Sequence, residues 1–219
     1  MSPVPVLPGL FWMDAARHLL WAAVLFWLLL VLVHCLRLPV PRRWVLLPAG
    51  LAVAWALTPG PLSASYWLGL AFQSPSLMTG LLCVLGSVRA LRVAWKPAVA
   101  QATAPEAGMF WLSMAGVLLG WVLLLDTLGL THGLLPASIY AWGFGPVALW
   151  CQLALALLLW GAGQRASAAL LLAVAGVFAL SRLPSGNLWD ALLDPWLWLL
   201  LHARVLRRCR VQARASKSA

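Results

Sequence analysis

The chain has 219 residues, of which 63% are hydrophobic and only 9% charged, with a mean hydropathy of +0.93. A soluble domain is nearer half apolar and a quarter charged, so folding alone cannot hide this much apolar surface and lipid is the expected solvent for most of the chain. The net charge of +10 does not imply nucleic acid, because the basic residues flank hydrophobic runs and no soluble segment is present to carry a binding face.

A bilayer core offers no water to backbone amides, which leaves helices or a closed barrel as spanning units. The apolar runs are long and lack the alternation of barrel strands, so the expected fold is all-α, a polytopic membrane helix bundle. The fifteen tryptophans fit a chain with many membrane-water boundaries. Cys35, Cys83, Cys151 and Cys209 form no CxxC pair and no metal-ligand spacing, so neither a disulfide framework nor a metal site is expected.

In chain order, residues 1–16 carry three prolines and no basic residue ahead of the first apolar run, which excludes a secretory signal and leaves a short extracytoplasmic segment. A first span is expected at about 17–36, closed by the basic loop Arg37, Arg42 and Arg43. The second, about 44–58, is thin: its apolar run Trp44 to Leu57 covers little more than about 20 Å at 1.5 Å per residue. Thr58-Pro59-Gly60-Pro61 ends it with a strong turn signal, and the uncharged stretch from Leu62 to Ser74 reads as an interfacial helix or a re-entrant piece.

A third span is expected at about 75–93, running into Arg89, Arg92 and Lys96, and a fourth at about 109–128 with Asp126 in its last turn. The uncharged, Gly- and aromatic-rich connection Gly129 to Gly145 leads into a fifth span at about 140–160. A tight turn ending at Arg165 precedes the sixth, about 166–181. The seventh, about 187–207, holds Asp190, Asp194 and Pro195 and runs into a basic cytoplasmic tail, 209–219.

Seven spans put the loops alternately on two sides. With the N-terminus outside, Arg37, Arg42, Arg43, Arg89, Arg92, Lys96, Arg165, Arg204, Arg207, Arg208, Arg210, Arg214 and Lys217 lie inside, against Arg17 and Arg182 outside. The positive-inside rule therefore favours N-out and C-in. A six-span count breaks this alternation, whereas a five-span version restores it if the second and third runs merge into one insertion.

The same topology gathers Asp14, Asp126, Asp190, Asp194, His18, His132, Arg17 and Arg182 near the outer face. An ionisable group at the centre of a membrane helix costs about 2.5–3.5 kcal/mol on insertion scales, so one that persists faces a partner or a cavity. Asn187 and Asp190 have the spacing of a helix start. Asp194 before Pro195 is also an N-cap signal, but a helix starting there has apolar residues only as far as Leu201 and is too short to cross. The last span is therefore either kinked at Pro195 or broken at Asp194. The candidate ion, proton or substrate site comprises Asp194, Asp190, Asp126, His132, Arg182, Asp14 and His18.

No catalytic residues are assigned, since no Ser/His/Asp arrangement, P-loop or nucleotide fingerprint is evident, and no cofactor is expected. Bis-histidine haem ligation by His18 and His132 on one side and His34 and His202 on the other is a haem-binding alternative. Retinal is excluded because the only lysines, Lys96 and Lys217, lie outside the spans. Ala115, Gly116, Gly120 and Gly176 read as close helix-packing positions.

The expected role is an accessory or assembly subunit of a cell-envelope complex in a bacterial inner membrane, its source inferred from high Ala, Leu, Trp and Arg usage with scarce Lys. Its partners are the lipid bilayer and a second membrane protein or another copy of itself, with no nucleic acid. The alternatives are a small transporter or channel using the outer Asp/His cluster, and a membrane enzyme acting on a lipid or haem. A polar cavity reaching Asp194 favours transport, and a dry bundle with a groove on its lipid face favours a partner subunit.

Overall fold

A computed structural model describes residues 7–36, 42–93, 107–130 and 138–215. These fold into ten α-helices and one short 3-10 turn, with no strand among the described residues. The helices are α1 (Leu10–Cys35), α2 (Arg42–Leu57), α3 (Ala64–Phe72), α4 (Leu77–Val93), α5 (Ala107–Thr127), α6 (Ile139–Trp142), α7 (Pro146–Gly161), α8 (Arg165–Ser181), α9 (Leu188–Leu192) and α10 (Pro195–Ala215).

Two helical segments, Leu10–Cys35 and Phe110–Thr127, are long and apolar enough to cross a membrane. Trp44–Leu57, Pro146–Gly161 and Arg165–Ser181 are shorter apolar helices.

Local signals account for most of the boundaries. Pro146 stands in the first position of α7, where its missing N–H costs nothing. Ser138, Ser63 and Asn187 cap α6, α3 and α9, each accepting a backbone N–H with its side-chain oxygen.

Two expectations about segmentation resolve in a definite way. The stretch expected as one span at 140–160 is two helices, α6 and α7, separated at Gly143 to Gly145. The last hydrophobic stretch is broken rather than kinked: Leu193 is extended, with φ −141° and ψ 129°, and α10 starts afresh at Pro195. The uncharged Leu62 to Ser74 stretch contains α3, which packs against α1 and α10. Phe72 stands 5.1 Å from the Trp196 ring and 6.5 Å from that of Trp21.

Close approach in the bundle depends on glycine. A Cβ on Gly116 would lie 2.6 Å from Leu201 and one on Gly120 would lie 2.2 Å from Trp198, so α10 rests in a notch that only a hydrogen side chain leaves open. The order of these contacts, Gly116 with Leu201 and Gly120 with Trp198, makes α5 and α10 antiparallel. On α1 and α4 the order is reversed, Leu20 at Gly80 and Trp27 at Gly86, so that pair is parallel. Gly176 differs from expectation, since a Cβ there meets nothing within 4 Å.

These directions sort the ionisable groups to opposite ends. The N-terminal parts of α1, α4 and α10 share one end with the C-terminus of α5, and this end holds Asp14, Asp126, Asp190 and Asp194. The opposite end holds the C-termini of α4 and α10, with Arg89, Arg92, Arg204, Arg207, Arg208 and Arg210. Arg208 lies over the Phe110 ring at 4.9 Å, fixing the start of α5 beside the end of α10. The core between the ends is built from Leu171, Val174 and Phe178 of α8, Leu188 and Ala191 of α9, and Leu77 and Met78 of α4.

Candidate functional site

Asp194 is 7% exposed and every one of its carboxylate contacts lies within the fold. It precedes Pro195, and its Oδ1 accepts the Leu197 N–H at 2.8 Å, which makes it the N-cap of α10. Its Oδ2 accepts the Ser76 N–H at 2.8 Å and the Thr79 hydroxyl. Ser76 is itself the cap of α4, since its Oγ accepts the Thr79 N–H at 3.0 Å. One carboxylate thus faces the positive N-terminal ends of two helices and satisfies donors on both.

Asp126 and Asp190 are joined through Tyr140. Asp126, 4% exposed, accepts the Tyr140 N–H at 2.9 Å and the Ser138 hydroxyl at 2.6 Å. The Tyr140 phenol donates to Asp190 at 3.0 Å, and the Ser185 hydroxyl donates to the same carboxylate. Asn187 closes the network: its Nδ2 donates to Tyr140 O at 3.1 Å, and its Oδ1 accepts the Trp189 N–H at 2.9 Å. A side chain at Gly143 would collide with Asn187 at 1.8 Å, so glycine is required where α6 meets α9. Tyr140 belongs to short α6, outside the long apolar helices, and burial followed by the Asp190 charge pushes its phenol up to about 12.

The third group surrounds His18. Its Nδ1 lies 2.6 Å from Ala56 O and 3.3 Å from Ser63 Oγ, and its Nε2 lies 3.6 Å from Asp14, which also pairs with Arg17. A serine, a histidine and an aspartate do therefore meet, contrary to the expectation from spacing. Nδ1 at that distance from a carbonyl must carry the proton, so it cannot act as base toward Ser63. Ser63 donates to Ala56 O at 3.0 Å and accepts the Ser65 N–H at 3.0 Å, and Ser65 also donates to Ala56 O at 2.8 Å. The Ala56 carbonyl, at the last turn of α2, is thereby held by three donors.

The expected outer cluster is three separate constellations rather than one. Arg182 makes a cation–π contact with Phe178 at 5.3 Å and has no carboxylate partner among the described residues. His132 lies outside the described residues. His34 is exposed, and His202 has neither ring nitrogen free: Nδ1 faces Trp198 O at 2.9 Å and Nε2 accepts the Trp121 indole N–H at 3.1 Å. A bond from His202 to iron would have to displace that indole.

The residues not anticipated from sequence are Ser76, Thr79, Ser138, Tyr140, Ser185 and Gln152. The Ser76 and Thr79 spacing is a capping signal, and Gln152 is the only carboxamide in its hydrophobic run, so both left a trace. Tyr140 left none, because its two carboxylate partners come from distant segments.

The bundle also encloses an open cleft of about 360 Å³, lined by α4, α5, α7, α8, α9 and α10. Its walls are mainly leucine. Gln152, 4% exposed, donates its Nε2 to Leu171 O at 2.9 Å while its buried Oε1 has no partner. None of the three carboxylates Asp126, Asp190 and Asp194 lines the cleft. Comparison with protein-family models, curated proteins and solved structures found no match.

Proposed function

We propose that this chain is a multi-pass protein of a bacterial inner membrane, N-terminus out and C-terminus in, acting as an accessory or assembly subunit of an envelope complex. In this reading α1, α2, α4, α5, α7, α8 and the α9–α10 unit are the seven spans, and α3 and α6 lie at the outer boundary. The segregation of carboxylates and arginines to opposite ends supports it, as does the excess of basic residues in the inner loops.

The observation that carries the reading is the disposal of the carboxylates. Asp126, Asp190 and Asp194 are committed to hydroxyl and backbone donors, while the cleft presents an apolar wall. A transporter needs a polar path to its ionisable groups. The link from Asp126 to Asp190 also passes through a backbone N–H of Tyr140, which carries no transferable proton. What remains is a bundle that holds its buried carboxylates on its own donors and offers apolar surface to neighbours in the membrane plane.

The test is purification of the tagged chain from its native membrane in mild detergent. A membrane protein recovered at fixed stoichiometry, or a defined homo-oligomer, is the expected result. A monodisperse single chain that moves protons or cations when reconstituted into liposomes would overturn it.

A further inference from the structure

We propose that the outward faces of α2, α7 and α8 bind phospholipids with short acyl chains, myristoleoyl in preference to oleoyl, and thin the bilayer around the bundle. The inference rests on the membrane reading above and goes beyond it by assigning the class of lipid that covers this surface.

Helix length selects the lipid. α7 has 16 residues and α8 has 17, so at 1.5 Å per residue their axes measure about 24–26 Å. The apolar run of α2, Trp44–Leu57, follows Arg42 and Arg43 and measures about 21 Å. A typical hydrocarbon core is about 30 Å thick. A long helix such as α1, with 26 residues, fits a thin bilayer by tilting, whereas tilting a short helix only shortens its reach. The short helices therefore set the thickness of the surrounding lipid.

Backbone and charge fix where the apolar band ends. Ala162 and Gly163, in the turn that joins α7 to α8, are exposed, and irregular backbone facing lipid has to lie outside the hydrocarbon. At the other end Arg182 closes α8. Its guanidinium lies 5.3 Å from the ring centroid of Phe178, one turn back along the helix, so this charge does not extend the band by reaching outward. Between these ends α7 carries no charged residue, and α8 carries none after Arg165. Val147, Leu157 and Leu158 of α7 and Val177 and Leu180 of α8 are exposed there. Tryptophans agree with the thin band. Trp44 and Trp55 on α2, and Trp150 and Trp160 on α7, are exposed pairs about 16 Å and about 15 Å apart along their helices. Indoles favour the membrane-water boundary, and both pairs stand well inside the spacing of about 30 Å that a typical core imposes.

The experiment reconstitutes the full chain in brominated dioleoyl phosphatidylcholine, whose bromines quench the indoles they touch. The brominated lipid is then diluted in separate series with dimyristoleoyl, dioleoyl or dierucoyl phosphatidylcholine, which are alike in headgroup and all fluid. Recovery of tryptophan fluorescence reports how well each lipid displaces the brominated one from the protein surface. Dimyristoleoyl phosphatidylcholine should displace it about three- to tenfold more effectively than dioleoyl, the scale of a mismatch of roughly 4–6 Å, and dierucoyl should be the weakest of the three.

Equal displacement by the three lipids, or strongest displacement by dioleoyl or dierucoyl phosphatidylcholine, would overturn the proposal. So would a chain that stays in the membrane yet is not quenched, because protein and not lipid would then cover these faces. The membrane reading fails by a different signal, release of the chain from membranes by alkaline carbonate.

Discussion

Trp198 lies across the open backbone of Gly120 and donates its indole N–H to Val117 O at 3.1 Å, so one residue of α10 both fills a notch in α5 and bonds to its main chain. A carbonyl that already accepts within its helix has a second lone pair, and here an indole uses it. Trp121 and His202 extend the same seam, with ring centroids 5.1 Å from Trp121 to Trp198 and 4.6 Å from Trp198 to His202.

Gly120→Val forces α5 and α10 apart and should destabilise the protein by about 1–3 kcal/mol, the range for overpacking a tight contact. Gly176→Ala meets open space and should leave the melting midpoint unchanged or slightly raised. Thermal unfolding of both variants in one detergent checks the contrast.

Asp194→Ala removes an acceptor from three donors on two helices and should cost about 2–4 kcal/mol, combining the loss of a cap with buried donors left unpaired. Asp194→Asn keeps a good capping residue and should recover part of that loss. If Asp194 instead served ion binding, the asparagine variant would keep stability while losing function. Melting curves measured beside partner recovery separate the two roles.

The phenol of Tyr140 titrates near 12 in the folded protein, above the ordinary value of 10. The unfolded chain therefore releases this proton first. The Tyr140 contribution is fully present below pH 10 and is lost as pH rises from about 10 to about 12. An ultraviolet absorbance titration should show a high-pH tyrosine step that Tyr140→Phe removes, and the same substitution should flatten the alkaline fall in stability.

Cys35 and Cys209 are exposed and belong to the arginine end, so both should react with a membrane-impermeant maleimide only from the cytoplasmic side. Inside-out vesicles should label and right-side-out cells should not. Labelling of Cys209 in intact cells would reverse the proposed orientation.

Sequence patterning made the helical class and most helix positions legible, because apolar runs, Pro-Gly turns and basic flanks are local signals. Asp194 was legible as a site of interest and ambiguous as to role. Its sequence neighbours show the cap of α10, but Ser76 and Thr79, the other partners of its carboxylate, lie 118 and 115 residues away. His18 followed the same rule: its depth was readable from the helix, while its partner, Ala56 O, is a backbone atom without side-chain identity. The cleft was not legible at all, since a void is a property of how six elements fail to close. The unpaired oxygen of Gln152 marks it only after the packing is known.

The bond between Ser76 and Asp194 also has a consequence for how the protein is made. At synthesis rates of about 5–20 residues per second, the 118 residues separating them take roughly 6–24 s to emerge from the ribosome. Throughout that interval the Ser76 N–H at the start of α4 lacks its permanent acceptor and the bundle is unfinished. Completion waits for one of the last helices to arrive, so a chain truncated before Asp194 keeps the Ser76 cap of α4 but leaves the Ser76 N–H and the Thr79 hydroxyl without their carboxylate acceptor.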